Sequence, residues 1–564
     1  VIKEEPHLHQ VPRSQRGGEI IEPMISTQWF VEIKPLAEKA LAAVKDGQIT
    51  IIPEHFTKVY YNWMENIQDW CISRQLWWGH RIPVWYCSDC NEVTVTREDP
   101  KACIHCQSAN IEQDPDVLDT WFSSGLWPFS TLGWPDQTAD LKYFYPTAMM
   151  ETGYDILFFW VARMIMMGLE FTGQVPFSEI YLHGLIRAGD GKKMSKSSGN
   201  VIDPITVMDE LGTDALRFTM LVGSTPGKDM SLSVQKVEAN RNFANKLWNG
   251  TRFVLHALET TANLPQDYQP SSGHPWTIAD SWIWARLQNV IRDIDRLFGN
   301  HQYGEAGRHV YDFFWGDFAD WYVEIAKIQL SEGGDRAFVT ARTLVKVLDL
   351  SLRMLHPFIP FVTEELWGHL RAAVLDSPLA AEAKDWSQAL IIARYPEPRT
   401  AEKWEAPTIV QFELVQEIVR NIRNMRAEYN VKPGQRIPAI FVSKTKTGIL
   451  KSQAEVIAAL AKLDIAKVTI KTEVEEKPKD HVALVIGAVE VYLPLEEMVD
   501  RDEQRARLEK ELSTANSQIQ RLDKLLGSSF AQKAPEQVVA AERDKLENFK
   551  ETAQKLEEQI RNLG

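Results

Sequence analysis

Apolar residues recur at two different periods along this chain, and the changes of period divide it into segments. Near the start, Arg16-Gly-Gly-Glu-Ile-Ile-Glu-Pro-Met24 reads as a turn followed by an apolar strand, and Pro35 to Lys45 as a helix. Glu151-Thr-Gly-Tyr-Asp155 and the apolar run Ile156–Met167 read as a strand end, a glycine turn and an amphipathic helix with Asp155 in its first turn. From Thr213 the pattern turns helical: Trp282, Leu287, Ile291 and Ile294 keep helical spacing, as do the stretches Phe313–Tyr322 and His356–Trp367. Residues 401–498 read as a helix followed by alternating strands and a helix, a small α/β module. In the tail, Leu508, Leu512, Ala515, Ile519, Leu522 and Leu526 form one stripe, and Leu546, Phe549, Ala553, Leu556, Ile560 and Leu563 another, with a break at Gly527-Ser-Ser529. Two such stripes joined by a short connection predict an antiparallel coiled-coil hairpin, a device that usually serves as a strut or a dimer seam.

Length and composition bound what these elements can build. A chain of 564 residues exceeds a single core, so about three to five domains are expected. The segment Leu264–Pro275, rich in Pro, Ser and Gly, marks one boundary. The formal net charge of −15 argues against wholesale coating of nucleic acid, so any RNA contact comes from local basic patches. The run Ile156–Met167 is too short to span a bilayer and carries Arg163. Five cysteines, four of them in two pairs, point to a reducing compartment, with the cytoplasm as the expectation, and to a metal rather than disulfides.

Three clusters carry candidate chemistry. The first lies in the stretch His183–Pro204, where Lys192, Lys193 and Lys196 crowd into five positions flanked by Gly189, Gly191 and Gly199. Glycines free the backbone to fold over a ligand, and converging ammonium groups suit a polyphosphate. A solvated basic loop has the same composition. The second is Cys87-Ser-Asp-Cys90 with Cys103-Ile-His-Cys106, two turns whose four thiolates suit one tetrahedral Zn²⁺. Four sulfurs leave no open coordination position, so such a zinc is structural. The alternative is four unrelated buried thiols; Cys71 stands outside the pattern. The third is Arg420, Arg423 and Arg426, which share one helix face and suit either phosphate contact or plain solvation.

Lys193-Met-Ser-Lys-Ser197 matches the Lys-Met-Ser-Lys-Ser signature of class I aminoacyl-tRNA synthetases, and its surroundings resemble that family too: Tyr181-Leu-His-Gly184, Gly199-Asn-Val-Ile-Asp-Pro204 and Gly212-Thr-Asp-Ala-Leu-Arg-Phe218. The segment Asn62–Pro83 is similar to the one preceding the metal knuckle in the valine, isoleucine and leucine members, and Trp77-Trp78-Gly79-His80 looks most like the valine branch. The tail arm and Phe530–Val539 resemble that branch as well.

The resemblance implies a multidomain α/β plus all-α protein. Residues 1–25 would be the exit segment of an editing domain. Residues 26–210 would be the second half of a Rossmann-like catalytic domain, with a zinc knuckle at 84–110 and the signature loop at 189–200. A helical junction and linker (211–275), a helical anticodon-binding bundle (276–400), the α/β module (401–498) and a coiled-coil tRNA-binding arm (499–564) would follow.

By the same resemblance Lys193 and Lys196 are catalytic, and Gly153, Asp155, His183, Gly184, Met194 and Lys196 bind ATP. Trp121 and Trp160 wall the valine side chain, with core packing as their alternative role. Arg420, Arg423 and Arg426 meet tRNA. The implied cofactors are ATP with Mg²⁺ and a structural Zn²⁺, and the implied partners are valine and its tRNA, with the chain a monomer away from membranes. No His-Ile-Gly-His signature occurs and the chain starts at Val1, so the expectation is a C-terminal two-thirds fragment, inactive by itself. The alternatives are a catalytically silent tRNA-binding protein, or the isoleucine or leucine member.

Overall fold

The computed structural model describes residues 3–6, 9–14, 17–194, 199–266, 268–271, 276–476, 478–498, 501–528 and 536–563. They fold into two compact units. The first comprises residues 1–211, 219–237 and 300–304, and the second the remainder.

In the first unit, α1 (Lys34–Lys45) starts on Pro35, whose fixed φ suits a first turn, and buries Ala37, Ala40, Ala43 and Val44 at helical spacing. Strand β1 (Thr50–Ile52) and α2 (His55–Glu65) follow. Three short strands, β2 (Val84–Cys87), β3 (Val93–Val95) and β4 (Ile111–Gln113), form a separate antiparallel sheet in the order β3-β2-β4. Helix α3 (Thr120–Gly125) is capped by Asp119, whose side chain accepts from the Trp121 N–H. The main sheet is parallel, in the order β1-β6-β5, where β5 is Thr147–Gly153 and β6 is Phe177–His183. Between β5 and β6 the chain passes through a 3-10 turn (Tyr154–Ile156), a π-helical turn (Leu157–Ala162) and α4 (Arg163–Thr172), making the βαβ crossover that parallel strands need. Helix α4 stops at Gly173, left-handed at φ 75°.

The core lies between this sheet and its helices, with Ile51, Met150, Leu157, Ile165, Phe177, Ile180 and Leu182 fully or nearly buried. Residues 300–304 complete the unit: His301 Nε2 lies 3.3 Å from Glu179, and the Tyr303 ring 5.7 Å from that of Tyr181. Beyond β6, the two-residue strands β7 (Ile186–Arg187) and β8 (Met230–Ser231) pair in parallel.

The apolar segment after Arg16 is not a strand. Ser14 and Glu19 close a tight turn there with a single bridge, Arg13 to Ile20, and Ile20, Ile21, Met24 and Ile25 stand exposed. These side chains have no apolar face to pair with, so local propensity alone does not extend the strand.

The second unit is mainly helical. Among its helices are α5 (Ile278–Gly299), α6 (Val323–Ser331), α7 (Gly334–Leu355), α8 (Pro360–Leu375) and α9 (Glu405–Glu428). Trp282, Phe314, Phe318, Tyr322 and Trp367 fill its interior. The fully buried Asp280 accepts from Tyr322 Oη at 2.7 Å, Arg336 Nη1 at 3.1 Å and the Thr277 N–H at 2.8 Å, so its charge is paired on several sides. Asp214, from the Gly212–Phe218 segment, caps the start of α8 by accepting from the Val362 N–H at 2.6 Å.

Helix α9, read from sequence as part of the α/β module, also belongs with the bundle: its Phe412 ring stacks on Trp282 at 4.2 Å. The module proper is a four-stranded sheet in the order β10-β9-β12-β11, from β9 (Ile437–Val442), β10 (Leu463–Lys471), β11 (His481–Ile486) and β12 (Val489–Pro494). The chain closes with two long helices packed on each other, α10 (Arg501–Leu526) and α11 (Glu536–Leu563). Leu508, Ala515 and Leu522 of the first stripe and Ala553 and Leu556 of the second are buried.

Candidate active site and metal centre

In an open parallel sheet, ligands bind beyond the carboxyl ends of the strands. Here β5 and β6 end side by side, with Gly153 in register with His183. Asp155 is exposed in the short 3-10 turn that follows, and its Oδ1 lies where a Cβ on Gly153 would intrude, at 2.7 Å. His183 Nδ1 meets the Gly184 carbonyl at 2.8 Å, and its Nε2 lies 3.5 Å from Glu151. Gly184 is required by clearance, because a Cβ there would lie 1.8 Å from the Lys228 carbonyl oxygen.

The signature loop leaves the sheet from β7. The Ala188 N–H donates to the Lys192 carbonyl at 2.9 Å, Arg187 and Lys193 form a bridge, and Gly191 turns the chain at φ 80°. This tight hairpin leaves Lys192 and Lys193 exposed, and Asn200 Nδ2 reaches back to the Lys193 carbonyl at 3.2 Å. Met194 is half-buried at its end. Lys196 lies outside the described residues.

The two candidate pocket tryptophans meet around α3. Trp121 lies in the first turn of that helix, 6.2 Å from the Phe159 ring. Trp160 donates from Nε1 to the Ser124 carbonyl at 3.0 Å and lies 5.8 Å from Trp127. Both are half-buried. The π-helical turn that carries Phe158, Phe159 and Trp160 widens the spiral by one residue per turn, a device common at functional sites.

Sequence reasoning missed the residue that holds this region together. Asp119 Oδ2 accepts from Trp70 Nε1 at 3.0 Å and Arg74 Nη2 at 2.8 Å, with Arg163 Nη1 at 3.6 Å. The Arg163 guanidinium lies 3.8 Å from the centroid of the Trp70 ring, and burial draws its pKa down to about 10 against the pull of Asp119. An Asp directly before Thr-Trp-Phe is an N-cap signal, so this position was open to inference. Beside these residues a cleft of about 400 Å³ is lined by Trp63, Trp70, Arg74, Phe158, Phe159 and Arg163.

The four cysteines converge. Cys87, Cys90, Cys103 and Cys106 place their sulfurs within 4.8 Å of one another, with Cys87 and Cys106 3.5 Å apart. Both turns use one hydrogen-bond plan. The Asn91 N–H donates to the Cys87 carbonyl at 2.9 Å and the Gln107 N–H to the Cys103 carbonyl at 3.0 Å, and both Asn91 and Gln107 are left-handed, at φ 59° and 63°. The His105 N–H points at the Cys103 sulfur at 3.4 Å, while the His105 ring turns to the Val93 carbonyl and adds no ligand. The donor set fits one tetrahedral thiophilic ion.

The shared arginine face of α9 divides. Arg426 is buried and donates to the carbonyls of Lys432, Lys462 and Gln435, so it serves the fold and does not stand ready for a phosphate. Arg423 and Arg420 are exposed, their guanidinium groups 5.8 and 5.5 Å from the Trp321 ring.

Residues 16–233 match the model of class I tRNA synthetases (I, L, M and V), and residues 280–441 that of the anticodon-binding domain of tRNA ligases. The chain belongs to the class I tRNA synthetases. A solved Mycobacterium tuberculosis methionyl-tRNA synthetase in complex with methionyl-adenylate shares the fold, with a TM-score of 0.51 and 19% identity over 69% of this chain and 71% of that one.

Within the class it falls in the valine branch. Residues 500–564 match the valyl tRNA synthetase tRNA binding arm. The valine–tRNA ligase of Symbiobacterium thermophilum is 46% identical over 100% of this chain and 62% of its own length. That of Dehalococcoides mccartyi (strain 195) is 48% identical over 99% of this chain and 61% of its own. The chain thus spans about three fifths of the length of these relatives. Among the described residues no helix is long and apolar enough to cross a membrane.

Proposed function

We propose that this chain supplies the second catalytic half and the RNA-binding parts of a valine–tRNA ligase, which joins valine to ATP as valyl-adenylate and passes it to the matching tRNA. The observation that supports the reading is that Gly153, Asp155 and His183 gather past the ends of β5 and β6, and that the chain leaving β6 runs directly on into the hairpin that exposes Lys193.

In the reaction, a valine carboxylate oxygen attacks the α-phosphorus of ATP, the bond to the bridging oxygen breaks, and pyrophosphate leaves. Lys193 and Lys196 donate to the β- and γ-phosphate oxygens as charge builds there, and Mg²⁺, when bound, supplies further positive charge. The His183–Gly184 turn and Met194 hold the nucleotide, while Trp121 and Trp160 wall the branched side chain. Cys87, Cys90, Cys103 and Cys106 hold a structural Zn²⁺ away from the chemistry. Arg420 and Arg423 meet tRNA phosphates, and α10 with α11 acts as a coiled-coil arm gripping the same RNA.

The test is valine-dependent ATP–pyrophosphate exchange by the full-length polypeptide that contains this chain. Lys193→Ala and Lys196→Ala should each slow exchange by about 10²–10³ with little change in valine affinity, because a preplaced cation acts mostly in the transition state. Equal losses in ground-state ATP binding and in rate would reduce the lysines to binding contacts. Retained RNA binding without any exchange by the unmodified polypeptide would leave a silent RNA-binding protein.

A further inference from the structure

We propose that Asp229 is a positioning residue for the signature loop, tying the turn after β5 to the strand that launches the loop. The inference rests on the reading of that loop given above. Asp229 Oδ1 accepts from the Leu185 N–H at 2.9 Å, and Oδ2 takes Arg187 Nε at very short range. The Tyr154 phenol lies beside the same carboxylate, which raises its pKa, and beside Arg187 as well. One acid therefore gathers three points of the chain.

Each point adjoins a residue assigned to substrate. Tyr154 stands between Gly153 and Asp155, Leu185 follows Gly184, and the backbone of Arg187 bridges to Lys193. The sheet gives this region little else. Strand β7 is two residues long, and its pairing with β8 is limited to Ile186 with Met230 and Arg187 with Ser231. A ladder so short fixes a direction weakly, whereas a charge-assisted pair with a planar guanidinium fixes an angle. The Asp229 side chain is only 20% exposed, so water competes little for it. Tyr154 packs against the buried apolar cluster through its ring, while Arg187 and Asp229 stand outside it, so losing the carboxylate should free the loop and spare the core.

The test compares Asp229→Asn, Asp229→Glu and the unmodified protein. In this chain, Asp229→Asn should raise tryptic cleavage after Lys192 and Lys193 several-fold. Cleavage elsewhere should stay the same, and the thermal midpoint should stay within about 2 °C. In the full-length polypeptide, its kcat for valine-dependent pyrophosphate exchange should fall about 10–100-fold at unchanged KM for valine. Asp229→Glu should recover part of both. Absence of exchange from the unmodified polypeptide would sink the functional reading itself. Normal exchange and normal loop cleavage in Asp229→Asn would sink only the role of Asp229. Cleavage rising at every site together with a lowered midpoint would make Asp229 a structural residue and overturn the proposal.

Discussion

On one carboxylate, Asp119, this chain hangs the first turn of α3, the indole of Trp70 and the guanidinium of Arg74, with Arg163 close by. Buried charges survive only with such company. Arg426 is the cationic counterpart, spread over three carbonyls. Replacing it with Lys leaves part of that set unmet, which should cost about 1–3 kcal/mol of unfolding free energy in denaturant titrations, with RNA affinity of the folded protein unchanged. Arg420→Ala, on the exposed side, should do the reverse: weaker RNA binding and a shallower salt dependence, with a stability change of about 0.5 kcal/mol or less. Equal losses of RNA affinity for both variants would put Arg426 back among the phosphate contacts.

At the scale of elements, the two Cys-x-x-Cys turns repeat one geometry, down to the left-handed residue after each second cysteine. One Zn²⁺ per chain is expected by elemental analysis, lost in Cys103→Ser with Cys106→Ser. A chelator should loosen the β2–β4 sheet, seen as faster amide exchange there, because metal binding and local folding are coupled. Unchanged zinc content in the double variant would rule out these ligands.

Such local spacings were legible in the sequence because they need no partner. So were α1, the bundle helices and the tail stripes, where period alone marks the buried face. The π-helical turn was not, since the apolar run from Ile156 fits an α period equally well. Arg426 was not either: a face rule places it beside Arg420 and Arg423, and only the packing of Lys432, Lys462 and Gln435 around it reveals burial. The strand expected after Arg16 failed for the same reason in reverse, an apolar pattern with nothing to cover it.

For the molecule as a whole, a net charge of −15 means that any RNA affinity must be concentrated on particular surfaces. Deleting residues 502–564 from the full-length polypeptide should raise the KM for tRNA and flatten its salt dependence, with pyrophosphate exchange nearly intact. A deletion that instead splits a dimer at constant tRNA affinity would make the two helices a seam between copies.

The division into two units also bears on synthesis. Unit 1 contains residues 300–304, far along the chain from the rest of it, and these bring His301 to Glu179 and Tyr303 to Tyr181. A nascent chain that has emerged only to residue 233, where the catalytic-family match stops, therefore still lacks part of that unit. Its last contacts wait until the polypeptide up to Gly304 has cleared the ribosome, by which time α5 is already outside. The first unit of this chain is finished late, and folding in order of synthesis cannot close it as a separate first step.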